Sequence, residues 1–160
     1  MNDIYSAPES KLVDASEGDL DNFQRFSAWG VFGLTIITFG VYYMYWFYTR
    51  TVKLNEFHRN KISTALIYST LIVYIAYTAT SFMGEDAYSN ELFLFGSLAL
   101  MLVYFGLYLT WIFSFRSRLL DIALAHGNGD FKINPVLTFF FQAWYLQYRI
   151  NVYIDQKNAA

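Results

Sequence analysis

The amino-acid sequence predicts an all-α integral membrane protein, a compact bundle of about four hydrophobic segments. Hydrophobic residues make up 56% of the 160 residues and charged residues only 15%, whereas a soluble domain carries about 25% charge. Residues 26–48, 62–83, 92–115 and 135–148 contain no Asp, Glu, Lys, Arg or His. A surface helix of a soluble protein needs a polar face, which these segments lack. The first three exceed the roughly 18 uncharged residues that indicate a membrane-spanning helix.

The chain divides into a short polar region and a long apolar one. Residues 1–24 lack helical periodicity and hold six acidic residues against one lysine, so they are predicted to form a disordered acidic tail. Residues 25–155 are predicted to form a single multi-pass transmembrane helical domain, which suits a chain of this length. The sequence offers no basic face for nucleic acid.

Local signals predict the course of the later segments. The third segment is expected to continue as an amphipathic helix, because Phe115, Leu119 and Ile122 fall on one face. The Gly-Asn-Gly-Asp sequence at 127–130 then ends it. Asn134-Pro135 is typical of an N-cap and first helical residue, so the last helix is predicted to begin there and to end near residue 155.

Basic residues predict the orientation, since Lys and Arg in short loops favour the cytoplasmic side. The linkers after the first and third segments are basic, whereas the short acidic linker between the second and third has no Lys or Arg. That acidic linker is therefore expected to lie outside. The cytoplasmic topology determinants are Arg50, Lys53, Arg59, Lys61, Arg116 and Arg118.

Two topologies remain open for the first and fourth segments. If both cross the membrane fully, both termini lie outside; if both are re-entrant or interfacial, both termini lie inside. Gly40 could mark a break in the first segment. The 14 uncharged residues of the fourth give about 21 Å of helix, less than the roughly 30 Å hydrocarbon core.

The same two segments show a weak internal match, and internal repeats are common in transporters. The first set is Thr38-Phe39, Tyr45 and Tyr48, and it recurs at an offset of 100 as Thr138-Phe139, Tyr145 and Tyr148. An arginine follows each set, Arg50 and Arg149. A structural repeat and a chance match in a chain rich in Phe and Tyr are both compatible with this pattern.

Four motifs resemble those of a family of small bacterial membrane proteins catalogued as domain of unknown function 4234. They are Thr38-Phe39-Gly40-Val41-Tyr42, Tyr45-Trp46-Phe47-Tyr48, Asn134-Pro135-Val136-Leu137-Thr138-Phe139-Phe140-Phe141 and Tyr145-Leu146-Gln147-Tyr148-Arg149-Ile150-Asn151. The resemblance covers about residues 26–152 and implies a multi-pass protein of the bacterial inner membrane. It implies no activity, cofactor or catalytic residue.

The sequence contains no convincing catalytic constellation, so an enzyme is not predicted. The chain has no cysteine, and His58 and His126 are expected to be solvated loop histidines, with no cofactor or metal to hold. Gln142 and Gln147 are the most polar side chains of the fourth segment. They would form either interhelical hydrogen bonds, the favoured interpretation, or a polar pore or headgroup site. The helix-packing or pore-lining candidates are Gly33, Gly40, Gly106, Thr110 and Gln142.

Three functions fit these observations. The favoured hypothesis is a non-enzymatic interaction or assembly protein, whose partners are the lipid bilayer and other membrane proteins or further copies of itself. The alternative is a small channel or transporter component. This function would explain a broken first segment and the internal repeat. A membrane enzyme acting on lipids ranks third, because it requires acid, base or nucleophile side chains to converge at one face.

Overall fold

The structure, a computed structural model, describes residues 18–159, and the regular elements of this stretch are helical. Its first element is a 3-10 turn at Leu20–Asn22. The helices are α1 (Ala28–Ile37), α2 (Val41–Phe57), α3 (Thr64–Thr80), α4 (Glu85–Tyr88), α5 (Glu91–Ala125) and α6 (Pro135–Asn158). The prediction of an all-α fold is confirmed.

The helices form three hairpins that leave from one end of the molecule and return to it. They are α1 with α2, α3 with α5 through the short α4, and the two arms of α6. We call this shared end the terminal end, because the first described residues meet the last helix there. Tyr153 of α6 donates to Asp19, and the ring of Phe23 packs against Phe57 of α2 and Phe115 of α5.

The first hydrophobic segment is broken into two helices. Phe39 and Gly40 have left-handed φ angles of 50° and 89°, a conformation that glycine adopts without the cost other residues incur. The Gly40 N–H donates to the Thr35 carbonyl at 2.8 Å. Thr38 closes the turn, because its hydroxyl accepts from the Tyr42 N–H at 2.9 Å. The first segment, for which a full crossing and a re-entrant course were both left open, is therefore a helical hairpin with its turn at Gly40.

Helix α6 is also broken, at Gln142, whose φ is 46° and ψ is −123°. The Tyr145 hydroxyl accepts from the Asn134 N–H at 2.9 Å. A straight helix would separate residues 134 and 145 by about 16 Å, farther than a tyrosine side chain reaches. The arm before Gln142 therefore folds back towards the arm after it. The helix starts as predicted, with the Asn134 side chain capping the N–H groups of Val136 and Leu137.

Aromatic side chains fill the core between α2, α5 and α6. The ring of Phe47 lies 5.6 Å from that of Trp111 and 5.8 Å from that of Phe115, and all three side chains are fully buried. Leu119 and Ile122 continue the same buried face of α5. The predicted extension of the third segment is thereby confirmed, as is its end, since Gly127 takes a left-handed φ of 78° just after α5.

The prediction of four hydrophobic segments in one bundle is not confirmed as made. Among the described helices, α5 alone is long and apolar enough to cross a membrane, with a mean hydropathy of 2.1 over an 18-residue stretch. Helices α1 and α3 are apolar but have only 10 and 17 residues. The left-handed turn at Gly40 shortens the first segment, and the bend at Gln142 divides the fourth. The last helix also runs three residues beyond its predicted end near Asp155.

The acidic tail was predicted to extend to residue 24, and residues 18–24 of that stretch are among those that the structure describes. Residues 1–17 lie outside the described residues. Leu20 and Phe23 are buried, and the Asp19 side chain caps the 3-10 turn by accepting from the Leu20 N–H at 2.6 Å. Two apolar side chains thus anchor residues 18–24 to the helical core.

Candidate functional site

A row of polar side chains joins α2 to the second arm of α6. The Tyr43 hydroxyl donates to Gln142 Oε1 at 2.5 Å, and the Trp46 indole N–H donates to Gln147 Oε1 at 3.0 Å. The second contact lies further along the sequence than the first in both helices, so α2 and this arm run in the same direction. The first contact joins the left-handed residue of α6 to the first turn of α2.

The row continues from α6 to the start of α1. The Gln147 amide donates to Asn151 Oδ1 at 2.9 Å, and the Asn151 amide donates to the Phe26 carbonyl at 2.7 Å. Gln147 is completely buried. We call Tyr43, Trp46, Gln142, Gln147 and Asn151 the polar seam. Buried amides need such partners because an unpaired polar group in an apolar interior is costly. Both glutamines thus accept hydrogen bonds from α2, and whether Gln142 also lines a pore stays a prediction.

The five packing or pore-lining candidates lie apart from one another, and only Gln142 belongs to the polar seam. Gly40 forms the turn between α1 and α2. A Cβ added at Gly33 or Gly106 would meet no atom within 4 Å, and the exposed Thr110 hydroxyl donates to the Gly106 carbonyl at 2.8 Å. Gly33 and Gly106 thus take no part in close packing within the described chain. Contact with another chain, or with a pore, remains a prediction for these residues.

Two of the basic topology determinants have structural roles that the sequence did not indicate. The Arg116 guanidinium donates two hydrogen bonds to the Ile133 carbonyl, and Arg118 donates to the Asn60 carbonyl at 3.2 Å. Each arginine thereby fixes a linker against α5. All six determinants belong to α2, α5 or the linker between α2 and α3; Arg59 and Lys61 in that linker are exposed.

Charged side chains hold the first described residues against α6 at the terminal end. Lys157 pairs with Asp19 and Asp21, and Arg25 pairs with Asp155 at 3.0 Å. Burial raises the pKa of Asp19, but hydrogen bonds from Lys157, Tyr153 and the Leu20 N–H outweigh it and hold that pKa below its ordinary value. The Asp19 carboxylate is thus a charged anchor between the first described residues and α6.

The histidines differ from each other in their surroundings. His58 was expected to be solvated, and this is wrong, because its side chain is buried where α2 ends. Its Nδ1 accepts from the Asn60 N–H at 3.0 Å, and Nε2 lies 3.7 Å from Asp121. Burial lowers the pKa of His58.

His126 is exposed, as expected, and lies 3.9 Å from Asp19. The two histidines therefore have different carboxylate neighbours and do not form a shared acid–base pair. Among residues 18–159, no group of three or more His, Cys, Asp or Glu side chains is arranged to hold a metal ion.

The outer surface is strongly apolar around both helix breaks and along α5. Phe39, at the tip of the first hairpin, is 96% exposed, and Phe140, beside the second break, is 68% exposed. The rest of the chain buries only 6% of the 18-residue apolar stretch of α5. A core helix of a soluble protein would be mostly covered. The fold is thus that of a helical protein with one uncovered helix able to cross a membrane by length and composition.

The chain belongs to the family described as Domain of unknown function (DUF4234), whose model matches residues 26–156. This match confirms the family resemblance and covers the helices from the start of α1 almost to the end of α6. No curated protein and no solved structure matches the chain.

Proposed function

We propose that this protein is a multi-pass protein of the bacterial inner membrane that acts without catalysis, as an interaction or assembly protein. One observation carries the proposal: the polar side chains of the seam bond to one another inside the molecule, while the surface around them is apolar. Large exposed apolar surfaces mark contact with lipid or with other proteins.

In the proposed topology, α5 crosses the bilayer, and α3 crosses it together with the uncharged residues that flank it at 62–63 and 81–83. The other two hairpins enter the bilayer from the cytoplasm and return. Helix α1 has 10 residues, or about 15 Å, and the first arm of α6 is shorter. Neither reaches across a hydrocarbon core of about 30 Å. The terminal end carries the basic linkers and would be cytoplasmic. Helix α4, with Glu85 and Asp86, would lie outside.

The first helix break favours an interaction protein over a channel. Re-entrant backbone is tolerated in a membrane where protein or a wet cavity satisfies its polar groups. Here the turn satisfies them locally, because Phe39 N–H donates to Ile36, Gly40 N–H to Thr35 and Val41 N–H to Thr38. The exposed Phe39 can therefore face lipid tails without a water-filled cavity behind it.

A small channel or transporter component is the second candidate, because the two broken segments meet at Tyr43 and Gln142. Broken helices that face each other near the membrane centre are typical of transporter binding sites. Tyr108 lies beside this contact, with its ring 5.8 Å from that of Tyr43, and its buried hydroxyl has no hydrogen-bond partner in the described structure. A water molecule at this hydroxyl would be the first sign of a wet path.

Paired reporters, one active only in the cytoplasm and one only outside it, test the topology. They would be fused to the N-terminus, at Ser89 and after Ala160. The expected result is termini inside and Ser89 outside. A Ser89 fusion active in the cytoplasm would refute the orientation. Termini reporting outside would refute the re-entrant hairpins.

Single cysteines test interaction protein against channel, since the chain has none of its own. We expect a water-soluble maleimide to label Ser89→Cys and to spare both Phe39→Cys and Gln142→Cys. Labelling at Gln142→Cys with Phe39→Cys still protected would show a wet cavity at the second break. The channel or transporter function would then replace the interaction protein.

A further inference from the structure

A concave basic surface lies beside α2, on the side facing the extended chain that precedes α1. This cavity has a volume of about 440 Å³, and its polar lining includes Asn22, Gln24, Tyr45, Thr49, Arg50 and Lys53. Binding cavities for small ligands commonly have volumes of 300 to 1,000 Å³. We call it the basic cavity. The basic cavity and the polar seam share one residue, Trp46, which lines the cavity and donates its indole N–H to Gln147.

Arg50 is a cation held in place at this cavity. Its guanidinium donates to the Gln24 carbonyl at 3.0 Å and stacks on the ring of Phe23 at 5.7 Å. Arg50 forms no ion pair with any carboxylate of residues 18–159. A guanidinium carries five N–H donors in a rigid fork that fits the oxygens of a phosphate. A fixed arginine with unused donors in a cavity is suited to an anionic ligand.

Lys53 lies one turn further along the same helix and adds a second positive charge. Its ammonium pairs with Glu56 at 3.0 Å on the exposed side of α2. An ammonium has three donors, so Lys53 can keep Glu56 and still contact a ligand in the cavity. The Thr49 hydroxyl and the side-chain amides of Asn22 and Gln24 supply uncharged polar groups around the two cations.

An apolar groove adjoins the basic cavity and shares Tyr45 with it. The groove lies between α2 and α3 and has a volume of about 640 Å³. One end of the groove lies at Tyr48 and Tyr68, next to the turn of α2 that carries Arg50. The other end lies at Val41, the first residue of α2, and at Phe82, two residues after the end of α3. The α3 side of the groove, from residue 68 to residue 82, is about 21 Å long at 1.5 Å per residue. This is a suitable length for an acyl chain.

We propose that the basic cavity and the apolar groove together bind one anionic phospholipid of the cytoplasmic leaflet. The phosphate contacts Arg50 and Lys53, and an acyl chain passes Tyr45 into the groove. The order of the two surfaces matches a lipid of that leaflet, with its charge at the cytoplasmic boundary and its chain towards the membrane centre. The inference rests on the proposed topology, in which the terminal end is cytoplasmic.

Native mass spectrometry of the full-length protein in detergent tests the proposal, with phosphatidylglycerol and phosphatidylcholine added separately. Retention of one phosphatidylglycerol, and little phosphatidylcholine, is expected. Lys53→Gln is expected to reduce phosphatidylglycerol occupancy about fivefold, the factor for losing one cationic contact with an anionic lipid. Lys61→Gln is the matched control, because it removes one charge from the same end of the molecule but lies outside the cavity, and it should leave occupancy unchanged.

Arg50→Gln should reduce occupancy at least as much as Lys53→Gln. Because Arg50 also ties the chain at Gln24, circular dichroism melting must show that this variant is folded; if it is not, Lys53→Gln alone decides. Equal retention of both lipids, or equal loss in Lys53→Gln and Lys61→Gln, would overturn the proposal.

The groove and the source of the phosphate need their own experiments. Ala79→Phe fills the groove without touching either cation, so it should reduce phosphatidylglycerol occupancy, and excess inorganic phosphate should displace little lipid. If inorganic phosphate competes fully and Ala79→Phe has no effect, the cavity binds a free phosphate and the lipid proposal is wrong.

The fusion reporters separate failure of this inference from failure of the proposed function. Termini inside and Ser89 outside, combined with no preference for phosphatidylglycerol, would leave the membrane topology standing and reject the lipid site. A cavity selective for phosphatidylglycerol in a protein whose termini report outside would reject both the topology and the assignment to the cytoplasmic leaflet.

Discussion

Trp46 of α2 donates its indole N–H to the buried Oε1 of Gln147 on α6, at 3.0 Å and 101 positions away in the chain. The bond joins the two segments that the internal match relates, and it lies two turns or less from the break in each. Gln147 also donates to Asn151, so its oxygen and its nitrogen are both used. The hairpin of α1 and α2 is thus fastened to α6 by polar side chains as well as by apolar contacts.

A double-mutant cycle should detect this hydrogen bond as a coupling between the two residues. Trp46→Phe and Gln147→Met each leave a buried partner unpaired, which costs about 1–3 kcal/mol, so the pair should show a coupling energy of about 0.5–1.5 kcal/mol. Thermal and denaturant unfolding in detergent measure it. Trp46→Phe combined with Thr110→Ala is the control and should be additive. A coupling near zero between Trp46 and Gln147 would contradict the polar seam.

The same substitution at two glycines of the first segment should have opposite effects. Gly40→Ala places a Cβ on a residue with φ 89°, and a left-handed conformation costs an alanine about 1–2 kcal/mol. Gly33 lies in α1 with open space around its Cα, so Gly33→Ala should stabilise the helix by up to about 1 kcal/mol. Melting temperatures in one detergent compare the two. Equal effects would show that the segment has no left-handed turn.

Local sequence signals correctly predicted those parts of the fold that neighbouring residues determine. The N-cap at Asn134, the buried face through Phe115 and the end of α5 near Gly127 follow from side-chain chemistry and helical periodicity over a few positions. Gly40 was recognised as a potential break because glycine is the residue that tolerates positive φ. The equivalent break at Gln142 had no such signal. Its conformation accompanies a contact with Tyr43, which is distant in sequence.

The candidate site was predicted in part, and its missing members depend on tertiary structure. Gln142 and Gln147 were identified by their polarity in an apolar segment, whereas Tyr43, Trp46 and Asn151 were not. Asn151 follows Gln147 at i+4, a spacing at which helical side chains meet, and this spacing could have revealed it. The burial of His58 depends on how α2, α5 and their linkers pack, which no local pattern determines.

The buried His58 should make stability depend on pH in the mildly acidic range. Burial lowers its pKa, and the positive charge of Arg118 adds to this, while a hydrogen bond from Nδ1–H to the Asn60 carbonyl and the charge of Asp121 oppose it. As the pH falls below about 6.5, the ordinary pKa of histidine, the unfolded chain binds a proton that the folded protein does not. Folding stability therefore falls from about pH 6.5 down to the folded pKa.

Unfolding experiments between pH 7.5 and pH 5.5 measure this dependence. His58→Gln should have a flatter stability profile than the unmodified protein over that interval. His126→Gln replaces an exposed histidine and should retain the slope attributable to His58. Parallel profiles for the protein and for His58→Gln would show that this histidine is not buried in the neutral form.

Tyr153 should stabilise the terminal end through the charge on Asp19. Its hydroxyl donates to the buried Asp19 carboxylate at 2.7 Å, and this bond helps to keep the pKa of Asp19 low. A carboxyl with a lowered folded pKa stabilises the protein above its unfolded pKa of about 3.9, and this stability is lost as the pH falls through the folded value. Tyr153→Phe should therefore lower the free energy of unfolding by about 1 kcal/mol near pH 7. The difference in unfolding free energy between this variant and the unmodified protein should become smaller below pH 4. Tyr148→Phe removes an exposed hydroxyl from the same helix and should have little effect at either pH. If the two variants were equally stable at pH 7, the anchor between Asp19 and α6 would have no energetic role.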